Sequence, residues 1–172
     1  MLVPYRPKSL PKSSRRYKYI IIHDLTCMFD GVDQAKIDEK KSQVGVLRSH
    51  NWIVNGQSDL NYHYVVETLR RDHETILGRP LNKWCEYDDI FPEYNASIHI
   101  GMVGKYSIMK PDMRYYQQIA YRVIAPAMAL FRIPLANIKL HSHVSRDEHK
   151  ACPGNFFDYN MLMAQMRPML GK

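Results

Sequence analysis

Eight histidines and three cysteines occur in 172 residues, so the sequence is read first for metal ligation. The densest group is Leu140-His141-Ser142-His143, followed by Lys150-Ala151-Cys152-Pro153-Gly154. A strand ending in histidine, a short loop and a cysteine ahead of Pro-Gly would bring imidazole and thiolate around one ion. A catalytic zinc site needs three protein ligands and an open fourth position for water. His23, which ends the run YKYIIIH over 17–23, is the natural third ligand. Two strand ends side by side in one sheet would present both imidazoles at the same edge. Taken singly, a strand-end histidine is more often a hydrogen-bonded structural residue, and a cysteine a small buried hydrophobe. Only their convergence would make a site.

The elements that must position these residues follow from the hydrophobic pattern. Residues 1–16 are rich in Pro, Ser, Lys and Arg and read as a flexible basic arm. The β-branched and aromatic run over 17–23 reads as a buried strand opening into a loop over 24–31. Residues 33–51 read as a largely polar helix, weakened by Gly45. Strands are expected over 61–68 (NYHYVVET), 74–77 and 96–103 (ASIHIGMV), with a turn over 70–73 and an irregular aromatic stretch over 83–95. Pro111 is expected in the first turn of a helix. Apolar residues at Ile119, Val123, Ala127, Leu130 and Phe131 keep helical spacing over 113–131, with Pro126 expected to kink or break it. A short strand over 138–141 and a helix over 156–166 complete the pattern. Strands and helices interleave without a dividing linker, which predicts one α/β domain over 17–172.

Composition bounds the class. Apolar residues are 45% and charged residues 24% of the chain, which excludes wholesale disorder, collagen-like and coiled-coil chains. No apolar run approaches the roughly 18 residues of a membrane span, and the N-terminus has no apolar core of a secretory signal. Lys and Arg number 24 against 17 Asp and Glu, a net charge of +7. That implies attraction to polyanions, but the basic residues lie in short clusters with no nucleic-acid motif, so no specific nucleic-acid partner is expected. Cys27, Cys85 and Cys152 form an odd set without framework spacing, which fits reduced thiols.

Five blocks, IIIHDLT, NYHYVVE, GRP, NASIHIGMVG and LHSHVSRDEHKACPGNFF, occur in that order. Together they resemble the zinc-dependent N-acetylmuramoyl-L-alanine amidases, the superfamily that includes T7-lysozyme-like enzymes and the peptidoglycan recognition proteins. The resemblance runs over 17–159. It implies a mainly mixed central β-sheet flanked by helices, with zinc in a groove. It implies His23, His143 and Cys152 as the metal ligands, with His143 in the Ser142-His143 block preferred to His141. Were the strand to run on, these two histidines would share one face. Tyr62 matches the family's catalytic tyrosine and Lys150 its catalytic lysine. Departures are Asp24 after the first ligand, His99 where glycine is common, and the unusual stretch over 83–95.

The implied reaction is hydrolysis of the amide between N-acetylmuramic acid and L-alanine of the stem peptide, with bacterial peptidoglycan as partner. The absence of a wall-anchoring domain resembles compact phage endolysins or virion-associated lysins. Such a protein would accumulate in the host cytoplasm before reaching the wall, or be carried in a virion. Two other readings share the fold. One is a non-catalytic peptidoglycan-binding protein, which typically lacks the cysteine ligand. The other is a regulatory partner of a polymerase, for which no surface in the sequence speaks.

Overall fold

Tyr-Ile-Ile-Ile-His shows no polar alternation, the pattern of a strand covered on both faces. The computed structural model describes residues 17–25, 60–69, 72–85, 87–104, 106–148 and 151–169. In it this run forms β1 (Tyr19–Asp24), with Ile20, Ile21 and Ile22 fully buried. β2 (Tyr64–Leu69) and β3 (Asp72–Leu77) form an antiparallel hairpin. β4 (Ser97–Met102) is buried along its whole length, and β5 (Ile138–Leu140) is short. The sheet order is β3-β2-β4-β1-β5, parallel at every pair except β2–β3. The expected mixed sheet is therefore present.

Side chains alternate across a strand, and the two faces of this sheet do different things. Ile20, Ile22, Ile98, Ile100 and Met102 face the helices α1 (Met113–Gln118), α2 (Ala125–Phe131) and α3 (Tyr159–Met166), packing with Tyr115, Tyr116, Ile119, Val123 and Leu162. Full burial of an aliphatic side chain stabilises by about 1.5–3 kcal/mol relative to exposure, so this face carries the main core. The opposite face holds two smaller apolar clusters, one around Leu25, Leu60, Tyr62 and Val65 and one of Ile21, Ile90 and Val144. The buried polar residues His23 and His99 also lie on this second face, two positions along their strands from Ile21 and Gly101.

Several element boundaries differ from the sequence pattern. The rod over 113–131 does not break at Pro126. It passes through a π-helical turn, Ile119–Ile124, in which the Ala125 N–H donates to the Ala120 carbonyl, and Pro126 then sits in the first turn of α2. Widening the ladder ahead of the proline accommodates its ring and missing N–H. Pro111 precedes the helix instead of entering it. Asp112 takes the cap position, its carboxylate accepting the Tyr115 N–H at 2.8 Å, as a short acidic side chain does readily. α3 likewise starts late, at Tyr159, because Asp158 caps it through the Met161 N–H. β3 begins at Asp72, two residues before the expected start. β5 stops at Leu140, one residue before the expected end, and His141–His143 form a 3-10 turn. No described helix is long and apolar enough to cross a membrane. The arm over 1–16, the helix over 33–51 and Lys150 lie outside the described residues.

Candidate metal centre

Parallel pairing sets Ile20 against Ile138, Ile21 against Lys139 and Ile22 against Leu140. The next residue on each chain is a histidine, and the alternation of the strands sends His23 and His141 to the face away from the main core. Their rings lie 4.4 Å apart, centroid to centroid. Cys152 comes back beside them. Its carbonyl accepts the Ser142 N–H at 3.0 Å, and its Sγ accepts the Asp24 N–H at 3.4 Å. One donor atom from each of His23, His141 and Cys152 lies within 4.8 Å of the other two, and all three residues are buried.

His143, the ligand preferred from the motif, is not in this cluster, and His141 stands there instead. The reason is local geometry. With about three residues per turn, a 3-10 helix does not put residues two apart on one face as a strand would. His143 is exposed, its Nδ1 accepts the Leu140 N–H at 3.3 Å, and its ring stands edge-on to Tyr159 at 5.4 Å. Burial and the charge of Lys139 lower its pKa, so it favours the neutral form there.

Around the three donors the structure places groups that sequence reasoning did not assign. His99 Nδ1 lies 2.8 Å from His23 Nε2. Asp89 Oδ2 lies 3.2 Å from His141 Nε2. The Tyr87 ring stacks on both His23 and His99, at 4.8 and 4.5 Å with interplanar angles of 17° and 21°, and its hydroxyl donates to the Asn61 carbonyl at 2.7 Å. Burial holds the Tyr87 phenol well above its usual pKa, with the neighbouring Tyr62 adding to the effect. Burial likewise pushes the His99 imidazole well below its usual range, so it is neutral. Tyr87 and Asp89 come from the aromatic stretch over 83–95. Its composition marked it as unusual, but nothing local in it pointed to the histidines.

Tyr62, the expected catalytic tyrosine, is buried and sits 5.4 Å from the His23 ring in a T-shaped arrangement. It lies over Gly101, where an added Cβ would come within 2.9 Å of the phenol ring. The glycine thus leaves room for the tyrosine beside the donors. The Asp24 carboxylate reaches within 3.5 Å of Cys152 Sγ, which places a second acidic group at the edge of the cluster.

Two imidazoles and a thiolate are a donor set suited to zinc. Bond lengths of about 2.0–2.1 Å to nitrogen and about 2.3 Å to sulfur space tetrahedral donors by roughly 3.3–3.7 Å. Three buried donors gathered within 4.8 Å are on the scale of such an ion's coordination shell. Three protein ligands, not four, are also the number that leaves a position for water.

No protein-family model and no curated sequence matches the chain. Solved structures do. LysCS, an endolysin N-acetylmuramoyl-L-alanine amidase from Clostridium intestinale URNW, aligns with a TM-score of 0.62 at 19% identity, over 96% of this chain and 93% of that one. A selenomethionine derivative of AmpD gives a TM-score of 0.60 at 18% identity, covering 96% of each chain. Drosophila PGRP-LB, solved as a point mutant in complex with tracheal cytotoxin, gives 0.58 at 18% identity, over 90% of this chain and 85% of that one. With its five-stranded mixed sheet and flanking helices, the chain has the fold shared by the N-acetylmuramoyl-L-alanine amidases and the peptidoglycan recognition proteins.

Proposed function

We propose that this chain is a zinc-dependent peptidoglycan hydrolase that cleaves the amide joining N-acetylmuramic acid to L-alanine of the stem peptide. The observation that carries the reading is the convergence of His23, His141 and Cys152 at the ends of adjacent parallel strands. Zinc held by these residues would polarise the scissile carbonyl and bring the pKa of a bound water toward about 7. The chain's own groups supply the rest. Tyr62, whose ring packs beside His23, would donate a hydrogen bond to the carbonyl oxygen as negative charge grows on it. Lys150, two residues before Cys152 in the sequence, would add a cation at the same oxygen. The leaving amine must gain a proton, and the phenol and ammonium are the two groups in the proposed set able to hand one over. The presence of Cys152 favours hydrolysis over binding alone.

The net charge of +7 suits an anionic wall, and the reading extends to a phage-type endolysin or virion-associated lysin, held in the host cytoplasm until release or carried in the particle. The test combines metal analysis with product chemistry. Purified protein should carry about one zinc, and digestion of peptidoglycan should expose new alanine amino groups without new reducing sugar ends. Cys152→Ser should lose both metal and cleavage. Reducing ends in place of amino groups would make it a glycosidase.

A further inference from the structure

Each imidazole has two ring nitrogens, and a neutral histidine that binds metal through one carries its proton on the other, which almost always donates to a nearby acceptor. On His23 the Nε2 side is hydrogen-bonded, and on His141 the buried Nε2 faces the Asp89 carboxylate as an ion-pair contact rather than as a formed hydrogen bond. His23 Nε2 lies 2.8 Å from His99 Nδ1, and His141 Nε2 lies 3.2 Å from Asp89 Oδ2. A nitrogen turned to its partner is not turned to the metal. The geometry points to His99 and Asp89 as a pair of positioning residues that set both histidine ligands in the Nε2-protonated tautomer with Nδ1 toward zinc. This inference rests on the zinc site proposed above.

Both positioning residues are themselves held in place. His99 stands on β4 opposite Ile21, its backbone N–H donates to His63 Nδ1 at 3.0 Å, and its ring is stacked against Tyr87. For His99 Nδ1 to accept from His23, the His99 proton must sit on its own Nε2. Asp89 belongs to a loop fastened to the segment that follows His141. Its carbonyl accepts the Arg146 N–H at 2.6 Å, the Phe91 N–H donates to the Val144 carbonyl at 3.1 Å, and Ile90 pairs with Ser145. The carboxylate is thereby delivered to the histidine by backbone hydrogen bonds between the two segments. A neutral imidazole serves one ligand and a carboxylate the other, so the two ligands are not equivalent donors.

The experiment measures zinc affinity by competition with a chelating indicator and records the visible spectrum of the cobalt(II)-substituted protein. The proteins are the parent, Asp89→Ala, Asp89→Asn, His99→Ala, His99→Gln and Cys152→Ser. Asp89→Ala and His99→Ala should each weaken zinc binding roughly 10–100-fold and alter the cobalt d–d bands. Asn and Gln keep an acceptor oxygen and should recover most of the affinity and the parent spectrum. Parent affinity and parent spectra in both Ala variants would overturn the inference. So would a loss that Asn and Gln do not relieve, since that marks damaged packing. Cys152→Ser reports separately on the ligand set: if it binds zinc as the parent does, the metal site itself fails, whatever the other variants show.

Discussion

His141 and His143 are separated by one serine, yet one is buried against His23 and the other is exposed beside Tyr159. Truncating them should therefore have unequal effects. His141→Ala should weaken zinc binding by more than the roughly 10–100-fold that loss of an outer-shell partner costs. His143→Ala should keep the parent's zinc stoichiometry and hydrolysis, losing at most about 1 kcal/mol with the Leu140 N–H bond. Metal analysis and chelator competition on the two variants decide it, and a zinc-free His143→Ala protein would return the ligand role to His143. His23 and Cys152 were legible in the sequence because each marks a chain landmark, a strand end and a Cys-Pro-Gly turn. The choice between the two histidines was not. It depends on whether β5 runs on through His143 or turns after Leu140, and Leu140 and His141 carry no local signal for that. His99 and Asp89 were hidden for a different reason, since their partners are 76 and 52 positions away in sequence.

The strand-and-loop layer behind β4 is tied together by a histidine that has no place in the metal site. His63 is fully buried, its Nδ1 accepts the His99 N–H, and its Nε2 lies 3.0 Å from the Lys83 carbonyl and from the Tyr17 hydroxyl. Cys85 Sγ is 3.4 Å from the same ring. Burial, with a further contribution from Arg79, lowers its pKa from 6.5 to about 4, against the Lys83 bond that raises it. The folded state thus binds fewer protons than the unfolded one between these two values, so stability must rise with pH across that window. The contribution is complete above about pH 6.5 and lost as pH falls toward about 4, a change of about 3 kcal/mol. Denaturant melts of the parent and His63→Gln across this range should show the parent with the steeper dependence; equal slopes would refute it. β1 was readable from its unbroken Ile-Ile-Ile run, and the other strands from shorter β-branched and aromatic stretches. The π-helical turn ahead of Pro126 was not, because an α-helix and a π-turn are written with nearly the same apolar spacing.

The net charge of these 172 residues, +7, acts over a distance set by the ionic strength. With a Debye length of about 10 Å at 0.1 M salt, attraction to an anionic wall should weaken severalfold between about 0.05 and about 0.5 M salt. Hydrolysis of a small uncharged soluble fragment should stay constant over the same range. Turbidity clearing of sacculi against turnover of the fragment separates the two, and equal salt sensitivity would place the effect in the active site instead. The overall architecture was legible only as an ordered series of blocks resembling a known fold. The connection of 83–95 to the segment after His141 could not be read that way, since Ile90 and Ser145 meet only once the sheet is assembled.

Gly154, at φ +115, is seated so tightly against the turn after β4 that an added Cβ would come within 2.3 Å of the Tyr106 backbone. The neighbouring Phe156 N–H is bonded to the Tyr106 carbonyl, and Cys152 is bonded to Ser142. The segment that carries the sulfur donor is thus fastened by its own close packing and backbone hydrogen bonds. The main core contains none of the three proposed ligands, unlike the small fingers whose folding waits on metal. Chelation should silence the enzyme yet leave its far-ultraviolet circular dichroism at 25 °C intact, lowering Tm only as mass action requires.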